Sequence, residues 1–156
     1  YRKSALTKPQ LTIHKHVVRH LRKPLTMNEI ELIKRKGEQP TAKISNAELE
    51  SLIEREFPNN LNVIKQKLNK IQSDSQNGKN RIGAAVLKLA NSELNKIEDL
   101  INKANEDFRD IVSEAEYPRA SKYGFEEPNE KELKTDYLND WIEYKNWKEK
   151  NGPTKS

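Results

Sequence analysis

The chain has 156 residues, a length typical of one domain, with a formal net charge of +5 and no cysteine. The lack of cysteine excludes disulfides, zinc-thiolate sites and cysteine nucleophiles, and it favours a cytoplasmic location. Charged residues make up 34% and hydrophobic residues 33%, so only regularly spaced apolar side chains can form a core. No run approaches the roughly 18 apolar residues of a membrane span, and we expect no membrane partner.

Basic residues are concentrated in the N-terminal third. Residues 1–43 contain eleven Lys or Arg against three Asp or Glu, whereas residues 44–156 contain eighteen against twenty-one. Within this third, residues 1–25 form a basic arm or helix. Pro9 can open a helix with Leu11 and Val18 on one side, and the same residues also suit an extended arm.

Two capping boxes mark the starts of the next helices. Thr26 with Glu29, and Ser45 with Glu48, have the spacing in which a side-chain oxygen and a carboxylate satisfy the first N–H groups of a helix. The first helix is predicted to end at Gly37 and the second at residue 58. A third helix is expected over residues 61–72.

Residues 73–79 are polar and predict a loop, after which 82–89 carry a further helical face. A tight turn at 90–92 is expected next, because the apolar spacing changes phase there. The longest helix is then predicted at about 92–117. Its apolar residues recur every three or four positions: Leu94, Ile97, Leu100, Ile101, Ala104, Phe108, Ile111, Val112 and Ala115. These patterns predict an all-α bundle of four to six helices over residues 26–118, packed around the longest one.

Residues 119–156 are predicted to form a linker and then a C-terminal helix at about 129–150. Its aromatic residues are Tyr137, Trp141, Tyr144 and Trp147. Such a face docks either on the bundle of its own chain or on a partner, including a second copy, because exposed aromatic stripes are uncommon on monomers.

No catalytic, metal or cofactor site is predicted. His16 and His20 have the i, i+4 spacing of a zinc site but lack the accompanying glutamate and lie among cations. Asp107, Asp110 and Glu114 share a helical face, which is typical of a solvated surface rather than of a cleft that separates pKa values.

The basic third offers the sharpest candidate surface. Its cations can neutralise phosphates of a nucleic acid, or they can lie on an acidic protein surface, including the acidic face of the predicted longest helix. The candidate contacts are Lys15, Arg19, Arg22, Lys23, Lys34, Arg35 and Lys36.

Four segments carry a family resemblance: residues 79–82, 84–90, 107–112 and 115–118. With the preceding helices, residues at about 46–118 resemble a group of short, uncharacterised bacterial helical proteins. The resemblance implies an all-α fold and a bacterial source and brings no activity with it.

The sequence therefore predicts a non-catalytic interaction module, an adaptor or assembly protein, that contacts a protein partner or a second copy. The alternative is an accessory domain that binds nucleic acid through the basic third.

Overall fold

The computed structural model describes residues 25–124, 126 and 128–150, and within them eight α-helices and no strand are found. The all-α class is confirmed, and six of the eight helices lie within residues 26–118, where four to six were expected. In chain order the helices are α1 (Met27–Glu31), α2 (Asn46–Glu56), α3 (Leu61–Leu68), α4 (Gln76–Ala90), α5 (Ile97–Glu106), α6 (Phe108–Glu116), α7 (Pro118–Ser121) and α8 (Glu130–Glu149).

Both predicted capping boxes are present. The Glu29 N–H donates to Thr26 Oγ1 at 3.2 Å, and the Thr26 N–H donates to Glu29 Oε2 at 2.8 Å. Ser45 and Glu48 form the same pair of bonds at the start of α2, at 3.1 and 2.8 Å. These bonds satisfy N–H groups that have no partner inside the helix, so both helices begin where the sequence predicts.

The α1 helix continues into a π-helical segment, Leu32–Lys36, and ends at Gly37 as predicted. Gly37 has a left-handed φ of 66°, a conformation that favours glycine. The Glu38 N–H then donates to the Leu32 carbonyl at 2.8 Å and closes the segment. Because π-helices are rare and frequently occur at functional sites, this segment is a candidate for function.

The centre of the fold is α4, not the predicted longest helix. All residues from 82 to 87 are buried, on every side of α4, and three of them are the small residues Gly83, Ala84 and Ala85. A Cβ placed on Gly83 would lie 3.3 Å from Leu49 Cδ1 of α2, so the two helices approach closely. Helices α2, α5 and α6 all pack on α4, as expected for a helix that is apolar around its circumference.

The prediction of one helix at about 92–117 is wrong. The segment forms a 3₁₀ turn at Leu94–Lys96, then α5 and α6, with a break at Asp107. Asp107 is extended (φ −152°, ψ 99°), and its Oδ1 accepts a hydrogen bond from the Arg109 N–H at 3.0 Å. Such a local capping bond competes with the continuous helix. The apolar spacing persists across the break, and the buried residues are Ile97, Ile101, Ala104, Ile111, Val112 and Ala115.

Three other predicted boundaries lie before or after this segment. The tight turn at 90–92 is confirmed, with left-handed φ values at Asn91 (51°) and Ser92 (64°). The loop at 73–79 is wrong in its second half, because the Gly78 N–H donates to Ser75 Oγ at 3.0 Å and α4 begins at Gln76. The predicted linker at 119–129 contains most of the short helix α7.

The predicted C-terminal helix is confirmed as α8, which packs on α6, α7 and the π-helical segment. It buries Trp141, Ile142 and Tyr144. Within the described ranges, no helix is both long enough and apolar enough to cross a membrane.

Candidate functional site

An open groove lies between the π-helical segment and the first half of α8. It has a volume of about 480 Å³ and is lined by Lys34, Asn129, Glu130, Lys131, Lys134, Thr135 and Leu138. We call these seven residues the basic groove, since three are lysines and one is acidic. Of the predicted contacts that the structure describes, Lys34 alone lines it, and two distant parts of the chain form it together.

The first turns of α8 position the lysines of its side of the groove. Asn129 Oδ1 accepts a hydrogen bond from the Lys131 N–H at 2.8 Å and fixes the start of the helix. Lys131, Lys134 and Leu138 are spaced by three and four residues, so they lie on one face. Lys131 is exposed, and neither it nor Lys34 forms an ion pair with another described residue within 4 Å.

Lys134 has more contacts within the fold than Lys34 and Lys131, the other two lysines of the basic groove. Its ammonium lies 2.5 Å from Glu130 Oε1, and this hydrogen bond and the lysine charge lower the pKa of Glu130. Its Cε would lie 3.3 Å from a Cβ on Gly37, so the glycine at the end of the π-helical segment leaves room for the lysine stem. Lys134 therefore joins the two walls of the groove.

Arg35 and Lys36, the two remaining sequence-predicted contacts in this segment, are exposed next to Lys34. Neither pairs with a carboxylate among the described residues. A local reason for their position exists, because cations are favourable near the C-terminal end of a helix. The helix dipole does not explain why Lys131 and Lys134 of α8 line the same groove as Lys34.

Four predicted contacts, Lys15, Arg19, Arg22 and Lys23, lie outside the described residues, as do His16 and His20. By sequence alone, residues 1–24 contain seven Lys or Arg and no Asp or Glu. This charge is joined covalently to the start of α1.

The aromatic residues of α8 face the bundle. Ring centroids are 5.9 Å apart for Tyr117 and Trp141, 5.7 Å for Trp141 and Tyr144, and 5.8 Å for Tyr144 and Trp147. Trp141 and Tyr144 are only 4% and 1% exposed. Their prediction as partner contacts is therefore corrected, since aromatic area that is buried in the chain's own core is not available to a partner. Tyr137 and Trp147 are half-buried and pack against the same core.

Polar contacts hold α8 along its length. Near its middle, Trp141 Nε1 and Lys145 Nζ donate to Glu29 Oε1 at 3.1 and 3.2 Å. Burial alone raises the pKa of Glu29, but the hydrogen bonds from Thr26, Lys145 and Trp141 together lower it below its usual value. The Glu29 carboxylate thus caps α1 and anchors α8 at the same time.

Two further sets of polar contacts hold α8. Buried Asp140 accepts hydrogen bonds from Arg119 Nη1 at 2.8 Å and from the N–H groups of Arg119 and Ala120 at 3.1 and 3.2 Å. At the C-terminal end, Trp147 Nε1 donates to Glu56 Oε1 at 2.9 Å. Arg55 Nη1 donates to the carbonyls of residues 147, 148 and 150 at the C-terminal end of the helix, where carbonyl groups lack i+4 partners.

A buried ion pair lies beneath the aromatic residues. Glu116 is fully buried, and its two carboxylate oxygens accept hydrogen bonds from Arg81 Nε and Nη2 at 2.8 and 2.9 Å. The nearby Tyr144 hydroxyl has no hydrogen-bond partner in the described part of the chain. Burial raises the pKa of Tyr144, and the negative charge of Glu116 raises it further.

The acidic groups considered for catalysis do not converge in a cleft. Asp107 caps α6 and pairs with Arg109 at 2.9 Å, while Asp110 and Glu114 are exposed. Lys88 is half-buried, and burial lowers its pKa while Glu143 and Asp140 oppose this change. Lys88 lines neither the basic groove nor the second groove described below. Among the described residues, no group of three or more His, Cys, Asp or Glu side chains can hold a metal ion.

A second, smaller groove of about 230 Å³ lies among α2, α3 and the start of α4. Its cations are already engaged, since Lys65 pairs with Glu50 at 2.6 Å and Lys79 donates to the Asn69 carbonyl at 3.1 Å. Asn80 at its edge is buried and bonds to Ile44 and Asn46 within the fold. The basic groove differs because Lys34 and Lys131 have no such partner in the part of the chain that the structure describes.

Sequence reasoning missed Lys131 and Lys134, because Glu130 and Glu132 cancel them in any count of charge along the chain. Plotting the helix face would have found them, since both lysines share a face with Leu138 while Glu132 does not line the groove.

No family model matches the chain, and no curated protein or solved structure shows significant similarity to it.

Proposed function

We propose that the protein is a non-catalytic interaction module, of the adaptor or assembly type, that binds an anionic macromolecule at the basic groove. The proposal rests on one observation: Lys34, from near the start of the described chain, lies in one open groove with Lys131 and Lys134, from near its end. Cations from distant segments do not meet by local helix preference, and a cleft with an excess of positive charge attracts anions.

Two further features support the site. Lys34 lies in the π-helical segment Leu32–Lys36, and such segments are frequent at functional sites. The adjoining residues 1–24 add seven Lys or Arg without a carboxylate. The partner is thus more plausibly an acidic surface than a second copy bound through α8, because α8 already buries its large aromatic residues in its own chain.

The proposal includes a cytoplasmic location and the bacterial source that the family resemblance implies. A chain without cysteine requires no oxidising compartment for its folding, which agrees with this location.

The test is an NMR titration of the ¹⁵N-labelled full chain with heparin, a generic polyanion. We expect the largest amide shift changes at residues 32–37 and 129–138, and we expect them to decrease as salt is added. Shift changes that centre on α3 or α5, or no binding at low salt, would contradict the proposal.

The matched control is a pair of neutralised lysines away from the groove. Lys34→Gln with Lys131→Gln removes two groove cations, whereas Lys70→Gln with Lys103→Gln removes two exposed cations away from the groove, one in the turn after α3 and one on α5. We expect weaker heparin binding for the first pair only.

A further inference from the structure

Resting on the proposed function, we infer that the anionic partner is a double-stranded nucleic acid, held at the basic groove by its phosphate backbone without sequence readout. The inference follows from which described side chains line the groove and which kinds of side chain are missing among them.

The composition of the groove favours phosphates over an acidic protein. Besides three lysines its described lining offers the Asn129 amide, and Leu138 is its one apolar side chain. Glu130 is paired with Lys134, and the Thr135 hydroxyl donates to the Lys131 carbonyl at 2.9 Å within α8. Protein interfaces have an apolar, aromatic-rich centre that is depleted in lysine. Interfaces with nucleic acid are more polar and much more positive, and lysine and asparagine both contact phosphate oxygens.

The lack of aromatic side chains in the groove favours a duplex over a single strand. Single strands bind by stacking their bases on aromatic rings, in addition to contacting basic side chains. Here the rings of Trp141, Tyr144 and Trp147 contact one another inside the bundle, and none lines the groove. Exposed Phe108 lies on α6, outside the groove.

The lining also predicts little sequence preference. The commonest specific base contact is made by a bidentate arginine to guanine, and no arginine is found among the described residues that line the groove. Lysine acts on phosphates as a point charge, which positions a duplex but does not identify its bases.

Nearby acidic residues limit the expected affinity. Glu130 is paired with Lys134, and exposed Glu31, Glu38 and Glu132 are close to the groove lysines in sequence. We therefore expect a Kd on the order of 1–100 μM at physiological salt, the range of non-specific binding.

The experiment measures fluorescence anisotropy of the full chain with four labelled probes: two unrelated 20-base-pair DNA duplexes, one of their single strands, and polyglutamate. Salt is varied from 50 to 200 mM. We expect both duplexes to bind with equal affinity within about threefold, and to bind more tightly than the single strand and polyglutamate.

The groove variant Lys34→Gln with Lys131→Gln should weaken duplex binding about tenfold and reduce the slope of log affinity against log salt by about two. The control variant Lys70→Gln with Lys103→Gln should stay within about twofold of the parent chain in affinity. Circular dichroism melts of both variants check that the fold is retained.

The outcomes separate this inference from the proposed function. Tighter binding of polyglutamate than of the duplexes would overturn the nucleic-acid inference and leave the interaction module standing. Preference for the single strand, or for one duplex sequence, would also overturn it. If no probe binds at 50 mM salt, or if both variants lose affinity equally, the groove itself is not the binding site and both proposals fail.

Discussion

The last helix contains two contrasting regions. Around Trp141 and Tyr144, α8 is buried and its rings contact one another, while Glu29 and Arg119 from other parts of the chain bond to its side chains. Near Lys131 and Thr135, about two to three turns earlier, its side chains face an open groove. The aromatic residues that first suggest a partner surface therefore stabilise the fold, and the lysines that a charge count hides form the candidate site.

The largest expected effect comes from the buried region. Trp141→Ala should lower the free energy of unfolding by about 3–5 kcal/mol, because it leaves a cavity and removes the hydrogen bond to Glu29. Lys131→Ala, in the open region, should change it by less than about 0.5 kcal/mol. Urea denaturation followed by circular dichroism measures both changes. Similar losses of unfolding free energy for the two variants would show that the two regions of α8 do not differ in their contribution to stability.

Asp140 tests the polar anchor between α7 and α8. Asp140→Ala should destabilise the fold by about 1–3 kcal/mol, because Arg119 and Ala120 lose the acceptor for their N–H groups. Asp140→Asn keeps one acceptor oxygen and should lose less. Equal urea midpoints for Asp140→Ala and the parent chain would show that burial of α8 depends on its aromatic residues alone.

Glu29 makes the anchor of α8 dependent on pH. Its pKa is lowered in the folded state, so its carboxylate stabilises the fold above the ordinary value of 4.5, and this contribution is lost as the pH falls through the lowered pKa. Glu29→Gln should therefore cost about 1–2 kcal/mol at pH 7.

The same variant should differ progressively less from the parent chain below about pH 4.5. Urea denaturation of both chains between pH 3 and pH 7 measures this difference directly. A difference that stays constant over this range would exclude the charged form of Glu29 as its source.

The smallest expected effect is at Tyr144. Tyr144→Phe removes a buried hydroxyl without a hydrogen-bond partner among the described residues, so it should be neutral or stabilise the fold by up to about 1 kcal/mol. Thermal melts and urea midpoints measure this change. A loss above about 1 kcal/mol would mean that the hydroxyl is bonded, for instance to a buried water near Arg81 and Glu116.

Sequence patterns of short range were sufficient for much of the fold. The capping boxes at Thr26 and Ser45, the stop at Gly37 and the turn at 90–92 all depend on residues within a few positions of one another. Their hydrogen bonds form between neighbours, so the local sequence contains the necessary information.

The break at Asp107 shows where apolar spacing misleads. The buried residues of α5 and α6 continue one periodic series, so the pattern predicts a single helix, while the capping bond from Asp107 to the Arg109 N–H interrupts the backbone. Periodicity reports which side chains face the core and does not report whether the backbone between them is continuous.

The sequence by itself determined the all-α class, most helix boundaries and the basic character of the N-terminal third, since these depend on local bonding, spacing and composition. Only the tertiary structure decided that α4 is central, that the aromatic residues of α8 are internal, and that Lys34 meets Lys131 and Lys134. The physical reason is that these features join residues that are distant in the sequence, about 100 positions apart for Lys34 and Lys131. Which helices lie side by side depends on how small and large side chains fit together across the whole core.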